Sequence, residues 1–316
     1  MTRTIAFSMV EDARRHVYEA AIRTPLVRLQ YDEAPAEIHL KLENLQPIGS
    51  FKIRGAWNAV RLLPPAERAL GVWTVSAGNA AQGVGLAARR AGVPCQVLVM
   101  DTAPAAKLEA IRRLGAEIVK APFDECWRAL GERRHPAMTG TFVHPFEDDA
   151  FIAGNGTAGL EILEDLPDVD AVVAAFGGGG LSCGIATVMR EKKPAVKVFA
   201  AEPETAAPLA RSFAAGAAQD FPGWSASWVD GCGGKSVFPR MWALAQHLLA
   251  GSVVSPLEDI RRALRLAAGR NHVIAEGAGA CAVAAALSGK CGTGKVVAVV
   301  SGGNIDLARF AELVSG

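Results

Sequence analysis

Between residues 72 and 120 the chain repeats one unit three times, and that rhythm constrains its fold more than any other feature. Val72 to Val75 is a short apolar run, followed by the small, polar turn Ser76-Ala77-Gly78-Asn79 and an alanine-rich helix over Gln82 to Ala91. Gln96 to Met100 is the second strand. Its helix opens near Thr102 and Pro104, carries Leu108, Ile111 and Leu114 on one face, and closes at Gly115. Glu117 to Lys120 begins the third unit. Short apolar strands alternating with amphipathic helices specify a parallel sheet covered on both faces. The alternation returns at Asp170 to Phe176, at Lys197 to Glu202 and at Val296 to Val300, while Glu37 to Glu43 reads as an upstream strand. The fold class is therefore α/β, with mostly parallel open sheets flanked by helices.

At 316 residues the chain is long enough for two lobes, each with a core of its own. Residues 121–150 read as a helix and the crossing between them. The expected division is 1–61 with 146–316 as the large domain and 62–145 as the small one. A formal net charge of +1 leaves no electrostatic footprint for nucleic acid and no polybasic case for a membrane surface. No uninterrupted apolar stretch reaches the roughly 20 residues that spanning requires, and Met1 to Val10 lacks a leader pattern. A cytoplasmic protein is expected, without an appended effector module after residue 316. The six cysteines are scattered with no C-x-x-C pair, and no two histidines lie three to five apart, so no metal centre or disulfide framework is expected.

Chemistry concentrates at a few short stretches. Pro47-Ile48-Gly49-Ser50-Phe51-Lys52-Ile53-Arg54-Gly55-Ala56 sets a lysine among apolar and small residues. A cationic neighbour, Arg54, and partial desolvation would both favour the neutral amine, the nucleophilic form that a Schiff base requires. Taken alone, the segment reads more readily as a helix-start lysine with its stem packed and its head in water. Four glycines after Phe176 let backbone approach an anion, and the following helix supplies free N–H groups and a positive dipole end. The plainer reading is a turn that permits close packing. Ser76 to Asn79 and Ser301-Gly302-Gly303-Asn304 both follow strands, whose C-terminal ends bind ligands in open α/β sheets. Each alone would also pass as a helix cap. Nucleotide signatures fail: Gly177-x-Gly179-x-x-Ser182 has serine for the third glycine, Gly234-Lys235-Ser236 has Val229 at the first glycine, and Gly294-Lys295 precedes Val296.

In this order, Gly49-Ser50-Phe51-Lys52-Ile53-Arg54-Gly55, Ser76 to Asn79 with Gln82-Gly83, Ile152-Ala153-Gly154-Asn155-Gly156-Thr157, Gly177 to Leu181 and Ser301 to Asn304 form a specific combination. It resembles the pyridoxal-phosphate enzymes of fold type II, the tryptophan synthase β-like fold, and most closely the threonine/serine dehydratases and serine racemases. The resemblance covers nearly the whole chain. It implies a two-lobed enzyme carrying pyridoxal 5'-phosphate, a small amino-acid substrate and a homodimer. Lys52 would hold the cofactor covalently and then serve as the base at Cα. Phe51 would pack against the pyridine ring, and Gly177, Gly178, Gly179, Gly180 and Leu181 would bind the phosphate. Asn79 would hydrogen-bond the ring hydroxyl. Ser301 would face the ring nitrogen, where a neutral partner favours prompt β-elimination. Ser76, Ala77, Gly78 and Asn79 would receive the substrate carboxylate, with Ala80 on the substrate side.

Three departures from the family pattern sharpen this. Racemases of the group carry a serine at Ala77 as the second acid/base, and alanine moves no proton. Ala80 stands where a histidine is usual, which enlarges or alters the substrate side. Relatives that bind a divalent cation pair a glutamate at the place of Glu202 with an aspartate where this chain has Pro208, so no such site is expected. The implied reaction is α,β-elimination from a β-hydroxy-α-amino acid to a 2-oxo acid and ammonia. The alternatives are racemisation, β-replacement, or a cofactor-carrying binding protein without turnover. Asp230-Gly231 matches the family, and Lys235 and Cys232 read as specificity residues or as a surface lysine and a packed cysteine. Glu276 falls near the ring, with no role assigned.

Overall fold

The computed structural model describes residues 3–315; Met1 and Thr2, on which the N-terminal reading partly falls, and Gly316 lie outside the described residues. Among the described residues, ten strands form two sheets. The larger runs in the order β1 (Leu26–Arg28), β2 (Glu37–Lys41), β10 (Lys295–Val299), β7 (Ala171–Ala175), β8 (Lys197–Pro203) and β9 (Gly251–Ser255). The smaller runs β5 (Glu117–Ala121), β4 (Cys95–Met100), β3 (Val72–Val75) and β6 (Thr141–Phe142). Every pairing is parallel except β1 with β2 at one edge. The large sheet buries both faces. Helices Asp149–Asp165, Gly180–Lys192 and Pro239–Leu248 cover one, and Leu257–Asn271 and Gly277–Leu287 cover the other. Strands β7 and β10 consequently read as unbroken apolar runs rather than alternating ones.

Helix Lys52–Arg61 packs its apolar side, Ile53, Ala56, Trp57 and Val60, into the core of the small sheet, against Val84 and Ala88 of helix Asn79–Ala91. It also lies against helix Asp149–Asp165. The pattern Gly154-Asn155-Gly156-Thr157 predicts a turn ahead of a helix; instead helix Asp149–Asp165 runs through these residues. A Cβ at Gly154 would collide with the Arg54 carbonyl, and one at Gly156 would sit 2.9 Å from the Gly184 carbonyl. These glycines are there to let helices touch, not to turn the chain. Ser255-Pro256-Leu257-Glu258 has the pattern of a capping box, yet no side chain of the helix caps Leu257–Asn271. Ser255 is still in β9, and Glu204, from the loop after β8, accepts the Leu257 N–H at 2.8 Å.

Candidate active site

Sheet ends meet at one cleft of about 390 Å³. Its walls include Phe51, Lys52, Ser76, Ala77, Gly78, Asn79, Ala80, Gly178 and Ser301, contributed by segments far apart in sequence. The volume suits a ligand of small-cofactor size. Beside it is a second cavity of about 250 Å³ under the glycine run, and Phe146, Gly178 and Gly231 line both.

Lys52 is the first residue of its helix, and the preceding Phe51 N–H is tied to the Ser301 carbonyl at 3.0 Å. The ammonium donates to the Pro145 carbonyl at 2.6 Å and sits 5.2 Å and 5.4 Å from the ring centroids of Phe51 and Phe151. Burial among these groups pulls its pKa down from 10.5 to about 8, against the opposing charge of Glu276. The sequence argument credited Arg54 with part of that shift, and the structure corrects it. Arg54 turns away from the cleft into a buried cluster, bonding Glu43 through Nε and Nη2 at 2.7 Å and Glu161 through Nη1 at 2.6 Å. Its charge is neutralised there. Desolvation alone lowers the lysine.

The glycine run forms the turn from β7 into helix Gly180–Lys192. Gly179 has φ +87°, a left-handed conformation that favours glycine, and no side chain caps the helix. The N–H groups at its start have no acceptor of their own in the helix, and Gly177 and Gly178 just before it line the neighbouring cavity. A Cβ at Gly177 would lie 2.7 Å from the Gly231 carbonyl, and one at Gly180 would lie 2.8 Å from the Phe146 carbonyl. Backbone alone can form this cradle, which together with the positive helix end fits a phosphate group.

In the Ser76 loop the Ser76 Oγ accepts the Gly78 N–H at 3.1 Å, so one backbone donor expected to face a carboxylate is spent within the loop. Asn79 and Ala80 open helix Asn79–Ala91, and their N–H groups have no intrahelical acceptor. Asn79 Nδ2 donates to Glu276 Oε1 at 2.7 Å. Glu276 is almost fully buried, and burial pushes its carboxyl up from 4.5 to about 8, with the Asp230 charge acting in the same direction. A lysine whose amine is deprotonated within reach of neutral pH, a backbone anion cradle, an amide donor and a buried hydroxyl at Ser301 fit a phosphorylated pyridine aldehyde.

Several cleft residues carried no sequence signal. Phe146 packs its ring over Gly178, and His144 shapes the turn that presents it. The His144 Nδ1 accepts the Glu147 N–H at 3.1 Å, which puts its proton on Nε2, and burial pulls its pKa down to about 3. Lys107, on helix Ala105–Arg112, also lines the cleft and pairs at 2.5 Å with Asp230, which the family match at Asp230-Gly231 had marked. Only spatial neighbours reveal Phe146, His144 and Lys107. Cys232 is buried, whereas Lys235 is exposed outside the cleft, its ammonium 4.5 Å from the Phe123 ring and 4.7 Å from the Trp224 ring. Glu202, considered above as half of a cation site, accepts the N–H groups of Leu209 and Ala210 at 2.8 and 2.9 Å and caps helix Pro208–Ala215.

Residues 17–302 match the family model described as pyridoxal-phosphate dependent enzyme. An L-threonine ammonia-lyase of Thermotoga maritima is 39% identical over 98% of this chain and 78% of its own length. A catabolic L-threonine dehydratase of Staphylococcus aureus is 36% identical over 98% of this chain and 92% of its own. The structure of maize serine racemase superposes with a TM-score of 0.88 at 29% identity, covering 99% of this chain and 97% of that one. The chain belongs to the pyridoxal-phosphate dependent enzyme family, in the fold type II branch that includes threonine/serine dehydratases and serine racemases. Its cofactor is pyridoxal 5'-phosphate. Among the described residues no helix is long and apolar enough to cross a membrane.

Proposed function

We propose that the protein is an ammonia-lyase that converts an L-β-hydroxy-α-amino acid of the threonine/serine type to a 2-oxo acid and ammonia. The observation that carries this is the meeting of Lys52, Asn79, Ser301 and Gly178 around one cleft, with Gly177 on the adjoining cavity. Pyridoxal phosphate, when bound, supplies the electron sink that makes a Cα proton removable. The residues Gly177 to Leu181 would hold its phosphate, Phe51 would pack on its ring, Asn79 would meet the ring hydroxyl and Ser301 the ring nitrogen. A neutral lysine amine is the form that accepts a proton, and Lys52 takes the one at Cα. The free N–H groups of Asn79 and Ala80 and the Ser76 hydroxyl hold the substrate carboxylate. The Cβ hydroxyl would leave as water, taking up the proton that Lys52 removed from Cα, and the released enamine would hydrolyse to the 2-oxo acid and ammonia. The methyl of Ala77 moves no proton, so Lys52 is the one side-chain base and elimination is favoured over racemisation.

The proposed division keeps 1–61 with 146–316 and 62–145 apart, with helix Lys52–Arg61 touching both. A cytoplasmic homodimer completes the reading; the six unpaired, buried cysteines suit a reducing compartment. Serine, threonine, 3-phenylserine and 3-hydroxyaspartate, assayed for ammonia and 2-oxo acid, test the reaction. Turnover of at least one is expected, with a loss of ~10³-fold or more in Lys52→Ala. A chain that develops no new absorbance on adding cofactor, or a Lys52→Ala variant with full activity, sinks the proposal. Chiral inversion or thiol adducts without ammonia would move it to racemase or replacement chemistry, and a substrate-induced spectral change without product to a binding protein.

A further inference from the structure

Glu276 is buried beside the cleft, yet nothing in the reaction above uses it. It precedes helix Gly277–Leu287 but makes no side-chain bond to that helix, so its carboxyl is not spent on capping. A Cβ at Gly302 would collide with Oε1, so the chain leaves room for this carboxyl. Burying a carboxyl without an ion-pair partner is costly, and such a group is expected to have a bonding task.

That task is read from one carbonyl. The Ile48 carbonyl can only accept, so the Asn304 atom 2.8 Å from it is the amide nitrogen. The same nitrogen is 2.7 Å from the Asn79 side chain, which must present its oxygen there. The Asn79 nitrogen is thereby turned the other way, to Glu276 Oε1 at 2.7 Å. An amide nitrogen carries two hydrogens. One is spent on Glu276 and the second remains, on a residue that lines the cleft.

We propose that Glu276 is a positioning residue: with Asn304 it clamps the Asn79 amide at both ends and aims its remaining N–H at the ring hydroxyl of the cofactor. The inference rests on the reading that Asn79 meets that hydroxyl. A carboxyl raised to about 8 is neutral at pH 7 and offers one acceptor and one donor, as glutamine does. Gln therefore preserves the clamp and Leu, of similar size, removes it.

The test titrates the apo forms of the parent, Glu276→Leu, Glu276→Gln, Asn79→Ala and Glu276→Leu/Asn79→Ala with pyridoxal 5'-phosphate, reading Kd and the absorption maximum of the bound form. Glu276→Leu and Asn79→Ala should each weaken binding about tenfold and shift the maximum. Glu276→Gln should stay within about threefold with the parental band, and the double variant should be no worse than Asn79→Ala alone. Parental Kd and band in Glu276→Leu, or additive losses in the double variant, overturn the inference while leaving the cofactor reading of Asn79 standing. Unchanged binding in Asn79→Ala overturns that reading itself. If Glu276→Leu does not fold, Asn304→Ala cuts the same clamp from its other end. The same tenfold loss, non-additive with Asn79→Ala, is then expected, and parental binding overturns the proposal.

Discussion

At the scale of single residues, Lys52 and Arg54 lie two positions apart and have opposite fates. Lys52 loses solvent without gaining a close counter-charge, so its amine becomes neutral more readily. Because its pKa is lowered to about 8, the rate at which apo-protein captures pyridoxal phosphate should climb with pH up to about 8 and then level off. A solvated lysine would keep climbing toward about 10. Stopped-flow absorbance across pH 6.5–10 distinguishes the two. Arg54 loses all solvent but gains Glu43 and Glu161, and Lys41 completes the cluster at 2.6 Å from Glu161. Arg54→Ala would strand the buried Glu43 carboxylate and leave Glu161 to Lys41. Urea unfolding of the apo-protein should show a loss of ~3–5 kcal/mol. The lysine was legible in the sequence as an odd residue in odd company; that its cationic neighbour points elsewhere was not.

At the scale of elements, glycines inside helices have different meanings that sequence cannot separate. Gly154 marks where helix Asp149–Asp165 touches the backbone of helix Lys52–Arg61. Gly131, in helix Phe123–Glu132, has open space around its missing Cβ. Gly154→Ala should therefore destabilise by ~1–3 kcal/mol through overpacking. Gly131→Ala should stabilise by about 0.4–1 kcal/mol, by restricting the unfolded chain. Thermal unfolding of the pair checks both signs. The strands were the more readable elements, since β3 has the predicted bounds and β4, β5, β8 and β10 differ by a residue or so at their ends. The short β1 and β6 were missed because two or three residues establish no period, and β9 because it has only two apolar residues, Val253 and Val254.

At the scale of the whole molecule, burying titratable groups makes stability depend on pH in a way whose sign follows from the shifts. Glu202 and Glu276 are raised to about 7 and about 8, so the folded chain holds protons that the unfolded chain has released above about 4.5. Their contribution is present at low pH and is lost as pH rises through those values. His144, lowered to about 3, acts oppositely, but only between about 3 and 6.5. Net stability of the apo-protein should therefore fall between pH 6.5 and 8, and Glu276→Gln should flatten that slope. Urea midpoints measured at several pH values in this window provide the check. A midpoint that rises across it would contradict the burial of these carboxyls.

The sequence by itself determined the α/β alternation, the parallel sheets and the stretches from which the candidate site is built, because strand and helix periods and glycine-rich turns are local properties of the chain. In isolation the segment around Lys52 reads more readily as a surface helix start than as a catalytic site. What only the tertiary structure decided is how those stretches meet. Pro145 and Phe151 reach Lys52 from distant segments, and its desolvation there, not the adjacent arginine, lowers its proton affinity against the pull of Glu276. The Asn79 amide is likewise turned by an Ile48 carbonyl and a Glu276 carboxyl that no spacing in the chain connects. Desolvation and hydrogen-bond polarity depend on neighbours in space, and those exist only once the sheets have formed.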